Sequence, residues 1–83
     1  MIAIIGNKSE AVDVTSASWA YANTTAGSRP VGIFCNAAST INGALMKDAS
    51  ETAWVLPAGF SPLAFKSINT SSTTKTGMRI IYG

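Results

Sequence analysis

The reactive inventory of this chain is short: four carboxylates (Glu10, Asp13, Asp48, Glu51), six cations, one thiol and no histidine. Asp48 and Glu51 stand three apart, a spacing that would let one carboxyl serve as acid and the other as base. They sit in "KDASE" (Lys47–Glu51), whose composition is that of a solvated turn, and the turn is the better reading. Cys35 lies between Phe34 and Asn36 in an apolar stretch. A nucleophilic thiolate needs positive charge beside it, so a buried, inert thiol is the expectation. Ser-Lys catalysis would call on "FKS" (Phe65–Ser67) or "TKT" (Thr74–Thr76), and neither has a helix or an oxyanion loop around it. "GNKSE" (Gly6–Glu10) holds Gly-x-Lys-Ser without the first glycine of a phosphate loop or a helix after it. With one cysteine and no histidine, a zinc site lacks ligands. No enzyme, catalytic residue, metal or cofactor is expected.

Seven aromatic residues (Trp19, Tyr21, Phe34, Trp54, Phe60, Phe65, Tyr82) would suffice for a base-stacking platform. Such a platform needs cations interleaved with the rings. Here Lys8, Arg29, Lys47, Lys66, Lys75 and Arg79 are scattered, and net charge is only +2. Core or interface aromatics are the better reading, and nucleic acid is an unlikely partner.

The elements that must position these groups read as strands. Serine and threonine fill 19 of 83 positions, and no long 3.6-residue apolar period runs through them. "SASWAYANTT" (Ser16–Thr25) is the best helix window, and it reads equally as an extended arm with Trp19 and Tyr21 on one face. Strand patterns fall at Ile2–Ile5, Val31–Ala37, Ser39–Lys47, Thr52–Pro57, Pro62–Ile68 and Gly77–Gly83. Asn42-Gly43 fits a hairpin turn, but the flanking segments would then be very short, so it is placed inside a strand. In Pro62–Ile68, Leu63, Phe65 and Ser67 alternate with Ala64, Lys66 and Ile68. In the last segment Met78, Ile80 and Tyr82 lie opposite Arg79 and Ile81. The chain is expected to be one all-β domain over 1–83: a small sandwich or barrel of five to seven short antiparallel strands. Residues 1–28 would form an extended N-terminal arm and 29–83 the β core. The expected core is Ile33, Cys35, Val55, Leu63, Phe65, Ile68, Ile80 and Tyr82.

A folded chain of 8.6 kDa exposes roughly 4,700 Å² of about 12,500 Å² unfolded, so it hides only about 60% of its surface. One cysteine excludes an intrachain disulfide. The chain is 47% hydrophobic and 12% charged, about half the usual charged fraction. These numbers point to an obligate oligomer, expected as a homo-oligomer, or to a component of a larger assembly. The apolar Ile2, Ile4 and Ile5, with Trp19 and Tyr21, are candidate contacts with another subunit or a partner. The alternative is that they complete the subunit's own core. Asn69–Thr76, "NTSSTTKT", is eight polar residues. It is expected to link strands and to dock on a neighbour by hydrogen bonds, with Thr73 and Thr74 as contacts. The final strand is expected to be held in a sheet. "MIAIIG" is too short to span a bilayer and lacks the basic region of a signal peptide, so no membrane partner is expected.

The order "RPVGIF … LPAGFSPLAFKSINTSSTTKTGMRIIYG" resembles the head spike base family of small bacteriophage and gene-transfer-agent virion proteins. The resemblance lies in Arg29–Phe34, Leu56–Gly59, Pro62–Leu63, Ile68, Thr70–Gly77 and Ile80–Tyr82, with Val12–Trp19 as a fainter lead-in. "NAAST" (Asn36–Thr40) and "KDAS" (Lys47–Ser50) stand where the family has Ala-Gly and an Asp/Asn-Gly turn. The resemblance implies a small β subunit on the outer capsid surface, made in the bacterial host cytoplasm. Its partners would be copies of itself, as in trimeric capsid decoration (cement) proteins, and the major capsid protein or other virion proteins. A tail or head–tail connector component is the alternative role; a small nucleic-acid-binding β-barrel is the alternative of another class.

Overall fold

The computed structural model describes residues 8–22 and 29–83 and shows an all-β chain. Eight strands run in order: β1 (Lys8–Val12), β2 (Trp19–Ala20), β3 (Pro30–Cys35), β4 (Ser39–Leu45), β5 (Thr52–Leu56), β6 (Gly59–Ser61), β7 (Phe65–Ile68) and β8 (Met78–Tyr82). They form two four-stranded antiparallel sheets, ordered β1-β8-β3-β6 and β2-β7-β4-β5. Among the described residues the strands number eight: the segment read as an arm supplies β1 and β2, and Gly59–Ser61, between two expected strands, supplies β6. β1 pairs along its whole length with β8, from Lys8↔Tyr82 to Val12↔Met78. β2 pairs with β7 at Trp19↔Ile68. Residues 1–7 of the arm, with Ile2, Ile4 and Ile5, and residues 23–28 lie outside the described residues.

The alternation read from β8 is the observed one: Met78, Ile80 and Tyr82 are buried while Arg79 is exposed. β3 contributes Ile33 and Cys35 to the same core. The facing sheet contributes Ile41, Leu56, Phe65 and Ile68, and Val12 and Val14 close one side. Leu63 is half-buried against this cluster. Asn42-Gly43 lies inside β4 as a continuous strand. Gly43 is required there, because a Cβ would fall 2.5 Å from the Ser67 carbonyl oxygen.

Two expectations fail. Val55, placed in the core, is 81% exposed. Alternation puts Val55 and Trp54 on opposite faces, and Trp54 takes the inner one. The Trp54 ring sits edge-on to Phe65 at 5.9 Å, and its indole N–H donates to the Gly43 carbonyl at 3.1 Å. The strict alternation of β7 also fails, since Phe65 and Ile68 are both fully buried. The register explains it: Leu45 pairs with Phe65 but Ala44 with Ser67, so Lys66 is an extra, bulged residue that resets the phase.

Candidate interaction surface

The carboxylates are committed to the chain's own structure. Glu10 Oε1 accepts from the Tyr82 hydroxyl at 2.6 Å and from the Trp19 indole N–H at 3.2 Å. Hydrogen bonding by the Thr15 hydroxyl, and then by the Thr15 amide, which donates to Asp13 Oδ1, holds the Asp13 carboxyl below the ordinary carboxylate value. Asp48 and Glu51 are each hydrogen-bonded to other residues of the chain. Asp48 accepts from the Leu45 amide and so closes the turn after β4. Glu51 reaches across the sheet to Ser67 and Asn69, each at 3.0 Å. Cys35 is fully buried, and burial pushes its thiol above the ordinary value against a smaller opposing effect of Ser39. It sits in the core as a free thiol. Among the described residues no group of three or more metal-ligating side chains forms.

Tyr82, Tyr21, Trp19 and Glu10 close one flank of the sandwich. The Tyr21 and Tyr82 rings lie 6.4 Å apart, and Tyr21 and Trp19 pack against the core. Burial, then the neighbouring Glu10, pushes the Tyr82 hydroxyl well above its ordinary value. Trp19 and Tyr21, candidates for contact with a partner, are thus partly buried against the chain's own core.

The Ser/Thr run is hydrogen-bonded to strand β4 of its own chain. Only part of one flank of β4 is paired by β7, at Gly43 to Leu45. The run continues where β7 stops. The Asn69 amide donates to the Asn42 carbonyl at 2.7 Å, and the Thr74 amide donates to the Thr40 carbonyl at 3.1 Å. In the other direction, the Asn42 amide donates to Ser72 Oγ at 2.8 Å and the Thr40 amide to Thr74 Oγ1 at 3.3 Å. Hydroxyls replace the carbonyls that a regular strand would offer. Thr74, placed at a partner interface, is therefore used within the chain, whereas Thr73 is exposed. Nothing in the sequence pattern marked Ser72 as the buried member of this run.

The surface that remains unexplained is the outer face of the sheet β1-β8-β3-β6. Phe34 and Phe60 are directly paired across β3 and β6, and each is 43% exposed. Arg79 on β8 lies in register beside Phe34, and half-buried Ile81 is the next outward residue of that strand. Gly32 lets the Phe60 ring lie down on the sheet, because a Cβ there would fall 2.2 Å from a ring carbon. A solvent-facing sheet surface normally alternates to polar residues. This one presents a phenylalanine pair with an arginine at its side. Comparison of the chain with protein-family models, with curated proteins and with solved structures finds no match to any of them.

Proposed function

We propose that this chain is a non-enzymatic virion structural protein: a capsid decoration or head spike-base subunit that works as a homo-oligomer, with a trimer as the expected form. The observation that carries the reading is the paired, half-exposed Phe34 and Phe60 on an outer sheet face. Covering such a strip is worth about 25 cal/mol per Å² of apolar surface. It therefore favours a partner of matching shape, here the major capsid protein or another virion protein. The low charged fraction, 12%, supports a surface built to be covered. The resemblance of Arg29–Phe34 through Ile80–Tyr82 to spike-base proteins supplies the virion setting. A standard interface of about 800 Å² per partner is substantial against a subunit surface of 4968 Å².

The test is quantitative mass spectrometry of phage or gene-transfer particles from cells that make the chain. Hundreds of copies per particle identify a cement, and a few tens or fewer a spike base, connector or tail component. Absence from particles overturns the reading. The Phe34–Phe60 pair with Arg79 in register also has the form of a small stacking platform, which favours a second reading as a single-stranded nucleic-acid binder. Salt-sensitive binding of an oligonucleotide, lost in Phe34→Ala, would move the assignment there.

A further inference from the structure

The sheet β1-β8-β3-β6 sets its outward residues in two rows. One row crosses the whole sheet as Phe60, Phe34, Arg79 and Ala11. The next runs Gly32, Ile81 and Ser9, with the Phe60 ring lying over Gly32. Three strand spacings of about 4.8 Å make the first row about 14 Å long. Among the described residues Arg79 is the one charged side chain in these rows. Phe34 and Ala11 are its cross-strand neighbours, and Ile81 is the next outward residue of its own strand.

Arg79 Nε donates to Ser9 Oγ at 3.1 Å. That bond uses one of the guanidinium's N–H donors, and among the described residues no ion pair or second hydrogen bond engages the rest. An arginine held at one point and bordered by apolar surface has a specific complement. An apolar partner docked on these rows would strip water from the guanidinium and return no hydrogen bond, which is costly. A partner that brings a carboxylate to the same place restores those bonds, because the planar fork matches a carboxylate bidentately.

A second copy of the chain does not supply that group. A two-fold contact lays the same face on itself, so Arg79 would meet phenylalanine, isoleucine or another Arg79. The chain's four side-chain carboxylates lie off these rows, and each already accepts a hydrogen bond within its own chain. A nucleic-acid backbone calls for several cations in line, and these rows hold one.

We propose that this face binds a protein of different sequence through an aspartate or glutamate set among apolar side chains. Phe34 and Phe60 are the apolar anchors, Arg79 is the specifying contact, and Ser9 holds the guanidinium in place. The inference rests on the reading of this face as the one a virion protein covers, and it names the chemistry of that protein's contact. Contacts between copies of the chain then use other surfaces.

The test uses the full chain in phage or gene-transfer particles purified from cells that make it, with copy number read by quantitative mass spectrometry. Arg79→Glu reverses the charge at an exposed position, so the fold is retained, and far-UV circular dichroism checks this. Particles should carry at least tenfold fewer copies of this variant than of wild type. Arg79→Lys keeps the charge but not the fork, and its copy number should fall between the two. Its amine also permits a zero-length carbodiimide cross-link at that position. The cross-link should run to an aspartate or glutamate of a different chain, with apolar residues beside it. Equal copies of wild type and Arg79→Glu overturn the inference and leave the virion reading standing, and so does a cross-link to a second copy of this chain. Particles that lack the wild-type chain overturn the virion reading, and the inference falls with it. An oligonucleotide bound by wild type and lost in Arg79→Glu, with no protein cross-link at that position, gives the face to nucleic acid and overturns the inference as well.

Discussion

Ser72 is a buried polar residue that ties the Ser/Thr run to β4. Its hydroxyl accepts from the Asn42 amide and donates to the Asn69 carbonyl at 2.8 Å, and its side chain is 2% exposed. Ser72→Ala would leave the part-buried Asn42 amide of β4 without its partner, a loss of about 1–3 kcal/mol. The neighbouring Thr73 is exposed, and Thr73→Ala should stay within about 0.5 kcal/mol of wild type. Urea unfolding of the two variants checks the contrast; equal midpoints would show that the run does not stabilise β4. Serine is frequent in this sequence, and periodicity cannot tell a buried hydroxyl from a solvated one. The docking of the run by hydrogen bonds was legible, but its target was not: the acceptor is the chain's own β4.

At the scale of elements, strand positions follow from apolar runs and turn residues, and β3, β4, β5, β7 and β8 fall where those patterns place them. The inward face does not follow so simply. β5 offers Trp54 and Leu56 on one side and Val55 on the other. Only the cross-strand partners of Trp54 decide between them. The bulge at Lys66 is equally silent in the sequence, because it arises from the junction of β7 with β4. β3 has an irregularity of its own between Pro30 and Gly32, and Phe60 lies over Gly32. Gly32→Ala would press a methyl group to within 2.2 Å of that ring and 2.9 Å of the Ser61 carbonyl oxygen. The expected cost is about 1–3 kcal/mol. In a Phe60→Ala background part of that cost should vanish, since the ring is the nearer obstacle. A full, undiminished cost in the double variant would place the strain in the backbone instead.

At the scale of the whole molecule, two buried acids set the alkaline limit of stability. Burial raises the Cys35 thiol above its ordinary value of 9.0, and burial with Glu10 raises the Tyr82 hydroxyl above 10.0. Each folded-state group holds its proton more tightly than the unfolded chain does. Its contribution is therefore complete below the ordinary value and declines as pH rises past it. The urea midpoint should be flat between about pH 6 and 8 and fall above about pH 9. Cys35→Ala should delay the onset toward the tyrosine range, at some loss of packing. A midpoint unchanged up to pH 11 would place both groups in contact with solvent.

The sequence by itself determined the class of fold, the absence of long helices, the last strand's alternation and the poverty of groups suited to catalysis. Those properties are local: they depend on residue type, on the two-residue period of a strand and on which reactive groups exist at all. Tertiary structure alone decided that β1 and β2 belong to the sheets, that Glu10 serves Tyr82 across 72 positions, and that Ser72 completes β4. It also decided which apolar residues remain outside. Phe34, Phe60 and Val55 look no different in sequence from Ile33, Phe65 and Leu56. Burial belongs to a face, and a face is assigned only when two sheets meet and one side of each strand turns inward.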